Sequence, residues 1–222
     1  MTESIRALRF RVVNAYLVET EDGFVLIDTG FRSDRKRLDR SLSDAGCRPG
    51  DLKLIVVTHG DPDHSGNAAH LRERFGAKIA MHRMEVAAVE RGDMLQSRGT
   101  MPPARRILKP IMSLFRLRKR ERFTPDLFVD EGDCLESYGL DATVHHVPGH
   151  SKGSIAVLTA DGAFFSGDFL ENRTRPSPAA FVDDAEALRA EFERVQRLDI
   201  HTVYPGHGAP FRLDEIQPRH NE

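Results

Sequence analysis

The chain has 222 residues, 40% hydrophobic and 30% charged, a globular balance that excludes wholesale disorder and a fibrous repeat. Lys and Arg total 32 against 34 Asp and Glu, a formal charge of −2, which argues against a dedicated nucleic-acid binder. The opening MTESIRALRF lacks the apolar core of a signal peptide, and no run reaches the roughly 20 apolar residues of a membrane span. Cys47 and Cys134 alone make neither a disulfide framework nor an all-thiolate zinc site, and a cytoplasmic protein is the expectation.

In chain order, Phe10–Val18 and Phe24–Asp28 read as the first strands, joined by a hairpin turn at Glu21-Asp22-Gly23. Leu38, Leu42 and Ala45 fall at helical spacing. A strand over Lys53–Thr58 leads into a polar loop, Ala68, Leu71 and Phe75 mark the helix behind it, and Lys78–Met81 is the next strand. Residues 84–128 differ in character. Ile107, Leu108, Ile111, Leu114 and Phe115 keep helical spacing beside eight Lys and Arg between 105 and 122, and Pro102, Pro103 and Pro110 break or start helices. A helical insert is expected, either a lid over a site or a helix packed on the core with a solvated basic face. A role at a membrane surface or in attracting phosphate is a third reading. Strands follow at Ala142–Val147, Ser154–Thr159, Ala163–Ser166 and Thr202–Tyr204, with a turn at Asp161-Gly162. Leu188, Phe192, Val195 and Leu198 stripe a last helix that Asp183 or Asp184 could cap. Hairpins opening each half, then strands mixed with helices, predict an α/β protein of layered sheets.

The chemistry concentrates in Thr58-His59-Gly60-Asp61-Pro62-Asp63-His64-Ser65-Gly66-Asn67. His59, Asp61, Asp63 and His64 follow a strand and precede a helix, so the loop projects them into the cleft at a sheet edge, where ligands usually bind. Alternation sends His59, Asp61 and Asp63 in similar directions while His64 turns away, so the loop could feed two adjacent cations. Three further candidates, His150, Asp168 and His207, each follow an apolar run and stand directly after a glycine, which lets the backbone approach a bound group. Read alone each is an ordinary polar loop residue; read with the 59–64 cluster they are metal-ligand candidates.

On these residues the sequence resembles the metallo-β-lactamase fold superfamily, which includes glyoxalase II-like thioesterases, lactonases, nucleases and flavodiiron proteins. The family's His-x-His-x-Asp-His loop, separate His, Asp and final His are matched in order by residues 59–64, His150, Asp168 and His207, and Asp28 in Leu26-Ile27-Asp28-Thr29-Gly30 matches the early family Asp. The resemblance implies a four-layer αββα sandwich in one domain over 1–222, with the insert near 84–128. It implies two divalent metal ions, zinc first. His59, His150 and the residue at 61 would hold one, Asp63, His64 and His207 the other, and Asp168 would bridge them while Asp28 supports the loop by hydrogen bonds. The departure is Asp61, where the family usually has a second His; flavodiiron proteins also place a carboxylate there, and oxygen-rich ligation shifts preference toward iron or manganese.

The function so implied is a hydrolase that uses a hydroxide held between the two metals to cleave a small ester, thioester or lactone, with Asp63 and Asp168 as catalytic residues. About fifteen residues follow His207, too few for the glutathione-binding helical domain common in glyoxalase II-like enzymes, which points away from a glutathione thioester. Alternatives are a non-haem diiron oxidoreductase, encouraged by Asp61, and a phosphodiesterase, resting on the basic stretch. A small-molecule substrate is expected, with no nucleic acid and no membrane span. Met84, Met94, Met101, Met112 and Phe115 are candidate pocket lining. Lys152, Asn172, Arg173 and Arg175 are candidates for a substrate anion, each read equally well as solvated surface. Of the remaining histidines, His145 or His146 alternates toward the site, and His70, His82, His201 and His220 read as ordinary structural or surface residues.

Overall fold

A computed structural model describes residues 4–93 and 116–216. Three antiparallel strands, β1 (Ser4–Arg9), β2 (Asn14–Thr20) and β3 (Gly23–Ile27), begin a sheet that β4 (Leu52–Val56), β5 (Lys78–Met81) and β6 (Leu127–Phe128) continue in parallel, in the spatial order β1-β2-β3-β4-β5-β6. Its inner strands are aliphatic on both faces, the signature of a sheet covered on both sides. One face, with Leu17, Leu26, Ile55 and Ile79, packs on Leu38 and Leu42 of α1 (Arg35–Asp44) and on Leu71 and Phe75 further along the chain. The other face, with Val18, Val25, Leu54 and Val56, meets Val144, Ile155, Val157 and Phe165 of a second sheet.

Between β4 and β5 lie two helices, α2 (Pro62–Ser65) and α3 (Ala68–Phe75), and after β5 comes α4 (Val86–Arg91). The second sheet is built from β7 (Ala142–His146), β8 (Ile155–Thr159), β9 (Ala163–Gly167) and a late strand, Thr202–Pro205; β10 (Leu170–Glu171) and β11 (Ser177–Pro178) form a separate ribbon. Ala156, Phe164 and Val203 on its outer face are covered by Leu188 and Val195 of α5 (Ala185–Val195). The late strand is β12, and the sheet order is β12-β9-β8-β7. Helices, sheet, sheet and helix make the expected αββα stack.

Several expectations shift in detail. The strand expected over Phe10–Val18 begins at Asn14; Phe10 N donates to Val13 O at 2.9 Å, closing a turn. β1 before that turn was not foreseen, because only Leu8 of its six residues is buried and the segment shows no apolar alternation. The hairpin at residues 21–23 is present, with Thr20 paired to Gly23. Asp184 rather than Asp183 caps α5, accepting from Glu186 N and Ala187 N at 3.1 and 3.0 Å. Of the 84–128 stretch, α4 lies near its start and Leu127–Phe128 is the edge strand β6 rather than insert, because these residues pair with Ala80 and Met81. Ile107 to Phe115, with Met94, Met101 and Met112, lie outside the described residues. Among the described residues no helix is long and apolar enough to cross a membrane.

Candidate metal centre

β7 and β9 each pair antiparallel with β8, and β12 pairs parallel with β9, so β7, β9 and β12 run the same way. The loops after them, carrying His150, Asp168 and His207, therefore open at one edge of the second sheet. The 59–64 loop follows β4 in the first sheet and is tied across by Ile155 N, which donates to Thr58 O at 3.0 Å. All seven candidate ligands of the sequence come together at this edge. Ligand atoms of His59, Asp61 and His150 lie within 4.8 Å of one another, as do those of Asp63, His64 and His207, and those of His59, His64 and Asp168.

The imidazoles are held in one tautomer. Thr58 Oγ1 donates to Asp28 Oδ2 at 2.9 Å, so at 3.1 Å it accepts from His59 Nδ1. His64 Nδ1 donates to Asp28 Oδ2 at 2.7 Å, His150 Nδ1 to Phe181 O at 2.6 Å, and His207 Nδ1 to Val12 O. With each Nδ1–H committed to an outer acceptor, the rings turn their Nε2 atoms inward, the orientation that such acceptors impose on metal-ligating histidines.

The spacing of the inward atoms fits a cation. His59 Nε2 and His150 Nε2 stand 3.5 and 3.4 Å from Asp61 Oδ2. His207 Nε2 and His64 Nε2 stand 3.4 and 3.8 Å from Asp63 Oδ2. Asp168 lies between, with Oδ1 3.2 Å from His64 Nε2 and Oδ2 3.2 Å from His207 Nε2 and 3.8 Å from His150 Nε2. Most of these exceed a good hydrogen bond, yet tetrahedral ligands at Zn–N distances of about 2.0–2.1 Å stand roughly 3.3–3.4 Å apart. His59 Nε2, His64 Nε2 and Asp168 Oδ1 are buried and make no hydrogen bond among the described residues. Buried polar atoms left so are costly unless something else satisfies them, and a cation would satisfy all three at once.

Electrostatics point the same way. Burial alone would depress the His64 imidazole, but Asp168, Asp28 and Asp63 outweigh it and lift it well above the usual histidine range. His207 is pushed up to about 9: burial opposes the shift, and Asp168 with the hydrogen bonds to Asp168 and Asp63 overrides it. Burial would raise the Asp168 carboxyl, yet His64 and His207 hold it well below the carboxylate range, and Asp63 is lowered against the same burial by His64 and His207. The centre attracts positive charge.

Two glycines show why the backbone can come so close. A Cβ on Gly206 would stand 2.5 Å from Asp168 Oδ1 and 2.6 Å from His64 Cε1. At Gly149, with φ +143°, it would stand 2.7 Å from Leu188 Cβ, so the His150 loop lies directly on α5.

Sequence reading missed Glu85. Its fully buried carboxylate accepts from Gly60 N at 2.8 Å and Gly153 N at 3.0 Å, binding the 59–64 loop to the loop after His150. It missed Asn67 too, whose Nδ2 donates to Thr29 O and Phe31 O at 2.8 Å and so pins the segment after Asp28. Of the alternating pair, His145 faces Glu131 at 3.1 Å and the His146 ring donates to Lys152 O at 2.9 Å, so both are engaged elsewhere. Asn172 donates to Ala209 O and Arg173 to Glu171, which leaves them structural.

The sequence profile described as the metallo-beta-lactamase superfamily matches residues 8–207. The chain belongs to this superfamily. A bovine (Bos taurus) relative named acyl-coenzyme A thioesterase MBLAC2 is 28% identical over 222 residues, covering 91% of this chain and 75% of the relative. Human metallo-beta-lactamase domain-containing protein 1 is 45% identical over 205 residues, covering 90% of this chain and 63% of that protein. Hydroxyacylglutathione hydrolase GloC of Haemophilus influenzae is 26% identical, with 76% of this chain and 71% of that protein covered. Among solved structures, TTHA1623 in a di-iron-bound form is similar with a TM-score of 0.72 and 28% identity, covering 95% of both chains. The likeness to BJP-1, a subclass B3 metallo-beta-lactamase of Bradyrhizobium japonicum, has a TM-score of 0.69 at 22% identity, covering 92% of this chain and 75% of that one. It shows the shared fold.

Proposed function

We propose that the chain is a hydrolase of small esters, thioesters or lactones, with thioesters foremost, acting at a dinuclear metal centre. The observation that carries the reading is the convergence of four inward Nε2 atoms and three carboxylates into two ligand groups with Asp168 between them. His59, Asp61 and His150 would hold one cation, Asp63, His64 and His207 the other, and Asp168 both. Imidazoles favour zinc; the three carboxylates bring iron or manganese closer. Such cations would supply Lewis-acid polarisation of a substrate oxygen and an acidified water at neutral pH.

The chain's own groups do the positioning. Asp28 and the carbonyls of Val12 and Phe181 fix the ring orientations. Asp63, with its side chain 19% exposed against 13% for Asp168 and 8% for Asp61, is the most open of the three carboxylates and is the one to accept a proton from an attacking water. The relatives named as a thioesterase and a hydroxyacylglutathione hydrolase support the thioester preference.

The test pairs metal content of protein purified without added metal with a panel of lactones, thioesters and phosphodiesters. Close to two equivalents of metal and turnover of a thioester are expected. Asp168→Ala is expected to lose both metal and activity with the circular dichroism of the fold retained; a metal-free, fully active variant would refute the reading. A second reading, a diiron oxidoreductase, is favoured by Asp61 and by the di-iron form of TTHA1623. Iron in the purified protein with oxygen or nitric oxide consumption and no ester cleavage would select it.

A further inference from the structure

A cleft of about 710 Å³ adjoins the metal centre. Its lining comes from the β1–β2 turn (Arg11, Val12), the segment Phe31–Asp34, residues 116–118 with Glu121, and Pro62 and Gly66 of the 59–67 loop. Pro62 separates Asp61 from Asp63 in the chain, and the Val12 carbonyl accepts from His207 Nδ1, so cleft and centre share a wall.

The charge in this cleft is unlike that of the molecule. Four arginines, Arg11, Arg32, Arg116 and Arg118, and two acids, Asp34 and Glu121, line it, in a chain whose formal charge is −2. Both acids are engaged. Glu121, 4% exposed, lies 3.0 Å from Arg32 Nε and accepts from Arg118 N at 2.8 Å; Asp34 accepts from Phe31 N at 3.1 Å. Arg116 is held by Asp93 at 2.7 Å. The guanidiniums of Arg11 and Arg118 have no carboxylate partner among the described residues. Arginines gathered in a concavity raise the local concentration of anions, and their planar forks match phosphate and carboxylate oxygens.

We propose that this arginine cleft holds an anionic group, phosphate or carboxylate, of the compound cleaved at the adjoining centre, with Arg11 and Arg118 as its recognition residues. That the anion belongs to a compound cleaved here rests on the hydrolase reading; the binding of the anion does not. The anion lies on the departing thiol or on the acyl part, and three thioesters separate these sources: acetyl-coenzyme A carries phosphates on the thiol side, succinyl-pantetheine a carboxylate on the acyl side, and acetyl-pantetheine neither.

In the metal-loaded Arg11→Gln/Arg118→Gln protein, the kcat/KM ratio of one anionic thioester to the neutral one is expected to fall roughly tenfold or more, about the loss of one charge-assisted hydrogen bond. The thioester that loses identifies the source, and metal content stays at the wild-type level. Added salt should lower the same ratio in the wild-type protein. Calorimetric binding of adenosine 3′,5′-bisphosphate and of succinate gives a readout without turnover, with one of them expected to bind roughly tenfold more weakly to the double variant. Unchanged ratios with unchanged anion binding overturn the cleft assignment while leaving the hydrolase reading intact, as does a wild-type protein that binds neither anion. Anion binding that depends on the two arginines, in a protein that cleaves none of the three, upholds the cleft and removes the hydrolase.

Discussion

Asp28 has φ +59°, the one positive φ outside glycine among the described residues, in a region Asp tolerates better than most side chains. From there its carboxylate takes Thr58 N at 2.9 Å, the Thr58 hydroxyl, and His64 Nδ1 at 2.7 Å. Asp28→Asn keeps the size and loses the charge that orients His64. A chelator-competition titration is expected to show metal affinity lower by about 10–100-fold. Asp28→Gly relaxes the backbone and is expected to be no better; wild-type affinity in that variant would mean that conformation, not the carboxylate, matters. A pH effect belongs at this scale as well. In the metal-free protein His207 keeps its proton up to about pH 9, and His64 is raised in the same sense, whereas Asp63 and Asp168, lowered, are ionised at neutral pH. A cation needs Nε2 bare, so binding at pH 7 must expel protons from the histidines, and affinity should climb as the pH rises toward the value of about 9 at which His207 gives up its proton. Calorimetry at pH 7 in buffers of different ionisation enthalpy should register net proton release; zero release would contradict the raised imidazoles. The ligand types were legible because six of the seven stand where a family pattern expects them. The acceptors that set the rings were not, since Val12 O and Phe181 O are backbone carbonyls with no signature in side-chain chemistry.

The elements show how much depended on pattern. Strands buried on both faces, such as β4 and β9, announced themselves as apolar runs, while β1, with one buried side chain, left no periodic trace. The polar turn at 21–23 was readable from its residues, but the turn at Phe10–Val13 was not, because its apolar members imitate a strand. Glu85 was hidden for a related reason: a charged residue ahead of a short helix looks solvated, yet α4 carries it inward beneath two ligand loops. Glu85→Ala would orphan two amides, at about 1–3 kcal/mol each, and is expected to lower the denaturation midpoint and loosen metal binding together. Glu85→Gln turns an NH2 toward one amide N–H and should be nearly as damaging; wild-type stability in that variant would contradict the double-acceptor role.

For the whole molecule, layered sheets were readable from the hairpins and the mixed strands and helices, and the αββα order came with the family resemblance, but strand order was legible from neither. Nothing in the residues of β12 says that it lies parallel beside β9. Four candidate ligands come from the first sheet's side and three from the second, across an apolar interface of Val18, Val25, Leu54, Val144 and Val157. A cation held there would brace the two sheets. At a thousandfold excess over its dissociation constant, a ligand adds about 4 kcal/mol, which for a chain of this size is roughly 8–16 °C in Tm. Scanning calorimetry with and without a strong chelator should show a loss of that order; an unmoved Tm would mean that no ion bridges the halves. The last ligand loop is also clasped by the first long strand: Asn14 Nδ2 and Tyr16 Oη both donate to Pro205 O, at 3.0 and 2.7 Å, across 191 and 189 residues of chain. On a ribosome, His64 emerges roughly 7–30 s before His207 at about 5–20 residues per second. A nascent chain in that interval offers only part of the cage, so a cation could meet the full set of candidate ligands only after His207 has joined it.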